Sequence, residues 1–196
     1  EIKKISNKYK IPVLHDAAHS FGSSYKGKMI GNQHDYTIFS FDPVKTITSI
    51  DGGAIVVNES ANVEKLHAKR LIGMTQSAQR MYKNSRAWEY DINEIGFRYH
   101  LANLHAAIGI QQLKKINEIK ESRQKACKFY HSNLKDLPWL IAPLGDIENV
   151  NPFLYYVRIL EGSRDSFRNY LRKNNIDTGI HWTSGHNFSL FKNCKK

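Results

Sequence analysis

Cysteine is scarce in this chain. Cys127 and Cys194 are the only two among 196 residues. They are too few for a disulfide scaffold and fit neither a CxxC pattern nor a zinc site, so no metal is expected. No apolar run approaches the ~18–20 residues that cross a bilayer, and no membrane partner is expected. The opening residues, EIKKISNKYK, hold neither an initiator Met nor the apolar segment of a secretory leader. Together these lacks point to a reducing, cytoplasmic setting. Internal repeats and low-complexity segments are also missing. Acidic residues are outnumbered, 18 Asp+Glu against 29 Lys+Arg, for a net charge of +11. A surplus of that size suits either a nucleic acid or a phosphorylated small molecule. The lysines are dispersed (Lys3, Lys4, Lys8 and Lys10, then Lys114, Lys115, Lys120, Lys125 and Lys128), and no dense block adjoins a DNA or RNA motif. Nucleic acid is therefore not the expected partner.

What is present is enough apolar material for a core, 41% of residues, including nine Phe, ten Tyr and three Trp. Ile2, Ile5 and Tyr9 recur at helical spacing, and Pro12 closes that pattern. Ile11 to His15 reads as a short buried strand ending at Asp16. Tyr25-Lys26-Gly27-Lys28 is a turn between two extended pieces. Tyr36 to Phe41 is a second strand, followed by a polar loop from Asp42 to Asp51 and a third strand, Ala54 to Val57. Residues 60–72 are amphipathic and stop at Gly73. Residues 74–95 are polar and aperiodic, a length that suggests a functional flap.

From Leu101 to about Tyr130, Leu104, Ala107, Ile108, Leu113, Ile116 and Ile119 form one apolar stripe, which predicts a long helix. Phe153–Leu160 reads as a strand, Ser163–Lys173 as a helix capped by Ser163, and Asp177–Trp182 as a last strand. Strands alternating with helices give an α/β architecture, with a change of domain along the long helix. The expected domains are residues 1–115 and 116–196. The start within a helix and the polar end suggest a fragment.

Asp16 falls at the carboxyl end of a strand, where open α/β sheets put ligand-binding groups. A carboxylate there serves as a metal ligand, a partner for a cationic heterocycle, or the cap of the following turn. His19, three residues on, is positioned to cover a planar ring, or is simply solvated. Ser40 ends the next strand and, with nearby backbone N–H groups, suits a phosphate. Lys45 lies among Phe39, Phe41, Pro43, Val44 and Ile47. An amine partly desolvated there is available for Schiff-base chemistry, although the same residues also suit an ordinary turn.

In combination these segments resemble the sugar aminotransferases of the DegT–StrS family, fold type I enzymes dependent on pyridoxal phosphate. The resemblance runs through Pro12-Val13-Leu14-His15-Asp16-Ala17-Ala18-His19, Gly31 with Asp35, Phe39-Ser40-Phe41-Asp42-Pro43-Val44-Lys45 and Asp51-Gly52-Gly53-Ala54. It continues in Gly96-Phe97-Arg98-Tyr99-His100, Ala106-Ala107-Ile108-Gly109, Gln112-Leu113, and Gly179-Ile180-His181-Trp182 with His186. Several separated motifs in one order make a specific signal.

The resemblance implies the second part of a large cofactor-binding domain, with a mixed, mostly parallel sheet flanked by helices, followed by part of a small α+β domain. It implies that Lys45 would be joined covalently to pyridoxal phosphate and would later shuttle a proton. Asp16 would pair with the pyridine nitrogen, His19 would lie against the ring, and Ser40 would contact the phosphate. Residues near 96–100, Arg98 among them, would reach the cofactor of a neighbouring subunit in a homodimer with shared sites. His100, His181, Trp182 and His186 are the substrate-side candidates. The implied reaction is transamination of a nucleotide-linked keto-sugar, with glutamate as donor, to give an amino sugar for surface polysaccharide or glycan. The family's phosphate loop and ring-stacking aromatic, which precede this stretch, are not in these residues.

Three positions depart from the family's habit: Arg98 where Asn is common, His100 where Arg is common, and Ile50 where glycine is usual. A non-catalytic remnant acting through dimerisation is the alternative, and a basic nucleic-acid-binding domain the third reading. A histidine in place of the lysine accompanies deoxygenation in one subgroup, which Lys45 argues against.

Overall fold

A computed structural model of the chain describes residues 1–57, 60–74 and 90–194, so most of the flap expected over 74–95 lies outside the described residues. The chain divides into two compact units, Glu1–Asn133 with Leu144–Tyr155, and Leu134–Pro143 with Tyr156–Lys196. These units cut across the expected division at 115 and 116, because side chains of the long helical segment hold residues 147–153 in the first unit.

The first unit opens with α1 (Ile2–Tyr9), which ends at Lys10 in the left-handed region, φ 54°. Its Ile2, Ile5 and Tyr9 are exposed, and the buried residue of the helix is Ser6. Strand β1 is Leu14–Asp16, starting later than the Ile11–His15 reading. Pro12 has no N–H, and Val13 N–H donates to the Asp35 carboxylate at 2.8 Å instead of to a neighbouring strand. Lys3 Nζ reaches the other Asp35 oxygen at 2.9 Å. The Val13 bond first, then Lys3, hold this carboxyl below the usual range. Next to it, burial first, then His15 and Lys3, push His34 below an ordinary histidine.

The short strands β2 (Ser24–Tyr25) and β3 (Lys28–Met29) form the hairpin expected around Lys26-Gly27. Strands β4 (Tyr36–Ser40) and β5 (Gly53–Val57) complete a three-stranded mixed sheet in the order β1-β4-β5. β1 and β4 run parallel, with Asp16 opposite Ile38. β4 and β5 run antiparallel, with Ser40 opposite Gly53. The alternate residues Thr37 and Phe39 of the central strand are buried, as the two-residue period of a strand requires.

Helix α2 (Ser60–Arg70) ends two residues short of the expected 60–72. The carbonyls of Lys69 and Arg70, which have no partner within the helix, accept from the N–H groups of Phe97 and Tyr99 at 2.6 and 2.9 Å. Gly73 and Gly96 let the two backbones cross at a distance no Cβ would allow. The segment carrying Arg98 and His100 is thereby fixed along the end of α2.

In place of one long helix there are two, α3 (Asn103–Lys114) and α4 (Ile116–Leu134). At Lys115 the N–H bonds to Gln112 O, three residues back, and the four-residue pattern resumes with Ile119 N–H to Lys115 O. The predicted stripe is not uniformly buried: Leu104 and Leu113 are 69% and 49% exposed. Five α-helices occur among the described residues, none long and apolar enough to cross a membrane.

The second unit pairs β6 (Leu140–Ile141) with β7 (Arg158–Ile159), antiparallel. It adds α5 (Arg164–Lys173), whose Ser163 cap accepts from Ser166 N–H at 3.3 Å as expected. Leu140 and Ala142 are its most buried apolar residues. Of the predicted Phe153–Leu160 strand, only Arg158 and Ile159 form β7, with Leu160 N–H donating to Trp139 O at 2.9 Å beyond them, while at its start the carbonyl of Phe153 is taken by Arg123. The predicted Asp177–Trp182 strand does not form. Arg168 donates to the Thr178 hydroxyl at 3.3 Å and to its carbonyl at 3.1 Å, which takes that carbonyl for a side chain instead of a ladder.

Candidate active site

Because β1 and β4 are parallel, the chain leaves both at the same edge of the sheet. Asp16 is the last residue of β1 and Ser40 the last of β4, so both stand at the carboxyl edge, where α/β sheets bind ligands. Ala17 extends the ladder by one bond, its N–H to Ile38 O at 2.9 Å, and is fully buried. That anchor fixes Asp16, whose side chain is exposed and accepts from Ala18 N–H through Oδ1 at 3.1 Å. The cap reading therefore holds for one carboxylate oxygen. Oδ2 takes no hydrogen bond among the described residues.

The loop after β4 is closed by its own backbone. Phe41 N–H donates to Gly52 O at 2.9 Å, and Phe41 O accepts from Ser49 N–H and Thr48 Oγ1 at 3.0 and 3.1 Å. Lys45 N–H bonds to Asp42 O at 3.0 Å, and Asp42 N–H to Ser40 Oγ at 3.4 Å. Beyond Lys45, the side chains of Thr46, Ile47 and Ser49 are buried and pin the loop. Gly109 of α3 lies against Ser49, where an added Cβ would stand 3.3 Å from Ser49 Cβ. The edges of Phe39 and Phe41 each meet the ring of Phe21, at centroid separations of 5.2 Å.

Lys45 is half-buried, as its apolar neighbours predict. Its Nζ lies 4.9 Å from the centroid of the Phe153 ring. The imidazole of His19 stacks on that same ring, with centroids 4.0 Å apart and planes 17° from parallel. One aromatic side chain thus gathers two of the predicted residues.

Phe153 escaped the sequence reading, which made it the start of a strand. Its place is set by non-local bonds. Asn151, fully buried, donates from its backbone to Ser23 Oγ at 2.9 Å and from Nδ2 to Phe21 O at 3.0 Å. Arg123 Nη1 takes the carbonyls of Pro152 and Phe153 at 3.1 and 3.0 Å. Gln124 Nε2 takes those of Ile147 and Val150 at 2.6 and 2.9 Å. No periodicity announces such contacts.

Arg98 and His100 are placed differently. Both are exposed and line a cleft of about 870 Å³ between β4–β5, α2 and the segment after Gly96. Arg70 and His105 add further basic groups, while Ile55 and Leu66 supply apolar walls. Asp16, His19, Ser40 and Lys45 are not among its lining. His181, Trp182 and His186 belong to the second unit and are exposed. The rings of His181 and Trp182 are 4.4 Å apart and tilted by 55°. His186 sits in the short 3-10 turn Gly185–Asn187.

This arrangement, an acid and a hydroxyl on adjacent parallel strand ends with a lysine in the loop beyond, defines a fold type I aminotransferase half. The chain belongs to the DegT/DnrJ/EryC1/StrS aminotransferase family, whose profile matches residues 1–196. It is 32% identical over 196 residues to a UDP-4-amino-4,6-dideoxy-N-acetyl-beta-L-altrosamine transaminase of Campylobacter jejuni, across 98% of this chain and 50% of that protein. PseC of Helicobacter pylori, an aminotransferase in the biosynthesis of pseudoaminic acid, superimposes with a TM-score of 0.83 at 26% identity, over 97% of this chain and 50% of that one. A putative sugar aminotransferase of Streptococcus pneumoniae, in its PMP form, gives a TM-score of 0.80 at 25% identity, over 93% and 48%. The chain spans about half the length of the relatives it matches.

Proposed function

We propose that the whole protein transfers an amino group from an amino acid such as glutamate to a nucleotide-linked keto-sugar, with pyridoxal phosphate as cofactor. The product would be an amino sugar for surface polysaccharide or glycan. The observation that carries this reading is the meeting of Asp16, Ser40 and Lys45 at one sheet edge, with His19 and Lys45 around one ring.

The donor set fits the cofactor's chemistry. A carboxylate matches a pyridinium nitrogen, a half-buried amine an aldehyde, a hydroxyl beside backbone N–H groups a phosphate, and an imidazole plane a flat ring. Pyridoxal phosphate, when bound, supplies an aldehyde that accepts amines and a protonated ring that withdraws electrons from the adjoining carbon. The protein's part is to hold and to move protons. Asp16 would hold a proton on the ring nitrogen. Lys45 would hold the cofactor, and its Nζ would take up and return a proton. Ser40 would donate to the phosphate, and His19 would cover the ring. The retained Lys45, Asp16 and Ser40 weigh against a non-catalytic remnant.

The remaining assignments belong to the same reading. In place of the division at 115 and 116, the unit Glu1–Asn133 with Leu144–Tyr155 corresponds to the second part of the large domain and Leu134–Pro143 with Tyr156–Lys196 to part of the small one. The protein works as a homodimer, in which Arg98 and His100 serve a neighbour's site. Their separate cleft and the exposed Leu104 and Leu113 of α3 support that placement. His181, Trp182 and His186 are the substrate-side candidates of the second unit. Free Cys127 and Cys194 suit a cytoplasmic setting.

The test uses Asp16→Asn in the full-length protein, with release of 2-oxoglutarate from glutamate followed in the presence of a UDP-linked keto-sugar. The variant is expected to bind the cofactor and lose turnover by a factor of about 10²–10⁴, the range for a proton-holding group. Unchanged turnover would remove Asp16 from the role given to it.

A further inference from the structure

We infer that Gly109 and Leu101 are positioning residues for Lys45, an inference that rests on the aminotransferase reading above. They act through the turn that closes the Lys45 loop. Phe41 donates from its N–H to Gly52 O at 2.9 Å and accepts at its carbonyl from Ser49 N–H at 3.0 Å, so both ends of the turn 49–52 are bonded to one residue. Ser49 Oγ donates to Asp51 O at 2.7 Å, which draws the turn tight. Between Lys45 and this turn, Thr46 and Ile47 are buried, as is Ser49 itself. A shift of Ser49 is therefore passed along a packed segment to Lys45 instead of being taken up by loose chain.

Two residues back the turn. Midway along α3, Gly109 lies so close to Ser49 that an added Cβ would stand 3.3 Å from Ser49 Cβ, and Ser49 would have to give by a few tenths of an ångström. Just before α3, Leu101 lies over Gly52, where an added Cβ would stand 2.8 Å from Leu101 Cδ1 and 2.9 Å from Ser49 Oγ. The turn is thus seated between Leu101 and Gly109, and neither touches Lys45. Alanine favours a helix more than glycine does. A purely helical role for residue 109 therefore predicts a gain on Gly109→Ala, whereas the contact with Ser49 predicts a loss.

The experiment uses the full-length protein and two readings. Without cofactor, backbone hydrogen exchange over residues 41–52 is followed by mass spectrometry. With pyridoxal phosphate added, the visible band is bleached by saturating glutamate in a single turnover, and its first-order rate constant is measured. An unfolded fraction lowers the amplitude of that bleaching and leaves the rate constant alone. Gly109→Ala is expected to speed exchange over 41–52 and to lower the rate constant about tenfold, since a full ångström of misplacement costs about a hundredfold. In a Ser49→Gly background, which has no Cβ to meet the added methyl, Gly109→Ala changes neither reading. Leu101→Ala, at a residue already 37% exposed, moves both readings in the same direction and covers the case in which Gly109→Ala fails to fold. A folded Gly109→Ala that keeps the parent rate constant, or loses amplitude alone, overturns the positioning role. So does a Leu101→Ala protein that behaves like the parent, or an effect of Gly109→Ala that is the same with and without Ser49→Gly. A parent protein that forms no visible band with pyridoxal phosphate overturns the aminotransferase reading instead.

Discussion

Ile50 is held at φ 69°, in the left-handed region, in the turn that closes the Lys45 loop. Its N–H donates to Thr48 Oγ1 at 2.9 Å, and Ser49 Oγ donates to Asp51 O at 2.7 Å, so the turn is fixed from both sides. An L-residue pays about 1–2 kcal/mol to sit there, because Cβ crowds the following carbonyl. Glycine avoids that cost but loses about 0.5–1 kcal/mol more chain entropy on folding. Comparing Ile50→Gly with Ile50→Ala isolates this balance, since both remove the apolar side chain. Glycine is expected to be the more stable by roughly 0.5–1 kcal/mol, the reverse of the order at an ordinary position. For a chain of this size that is about 1–4 °C in melting temperature. The assay is thermal unfolding followed by circular dichroism, with all variants in one buffer. An alanine variant as stable as the glycine one, or more so, would refute the strain argument.

Two further perturbations read other parts of the first unit. Asn151→Ala removes the donor to Phe21 O from a fully buried site; it should cost about 1–3 kcal/mol, seen as a lower midpoint in urea, and an unmoved midpoint would deny the segment its anchoring role. His34 is held below its ordinary value by burial, then by His15 and Lys3, with Asp35 opposing. Its neutral form therefore contributes stability that is fully present above about pH 6.5 and is lost as pH falls through the lower value of the folded state. His34→Gln should flatten the loss of stability on acidification below that pH, and parallel curves for the two proteins would contradict the assignment.

The sequence made the site's edge legible and left its interior hidden, for physical reasons. Asp16, Ser40 and Lys45 follow from two apolar runs and the loop after the second, because strand ends are local features that hydrophobic runs mark directly. The Ser163 cap is local too. Phe153 is not. It reaches His19 and Lys45 only because Asn151, Arg123 and Gln124 form bonds between distant parts of the chain. The break at Lys115 was concealed by a stripe that continues across it, one residue of altered bonding being too short to disturb a helical period. The strand expected over Asp177–Trp182 had the right composition, but Arg168 claimed the backbone of Thr178. Composition reports what a segment can do, and its neighbours decide what it does.

The claim on which the rest depends is that the amine of Lys45 takes up the aldehyde of pyridoxal phosphate. Absorption spectroscopy of the full-length protein with added cofactor tests it directly. The account predicts a long-wavelength visible band in the parent that is absent in Lys45→Ala and survives in Asp16→Asn. A band of undiminished intensity in Lys45→Ala, or none in the parent at saturating cofactor, would contradict it.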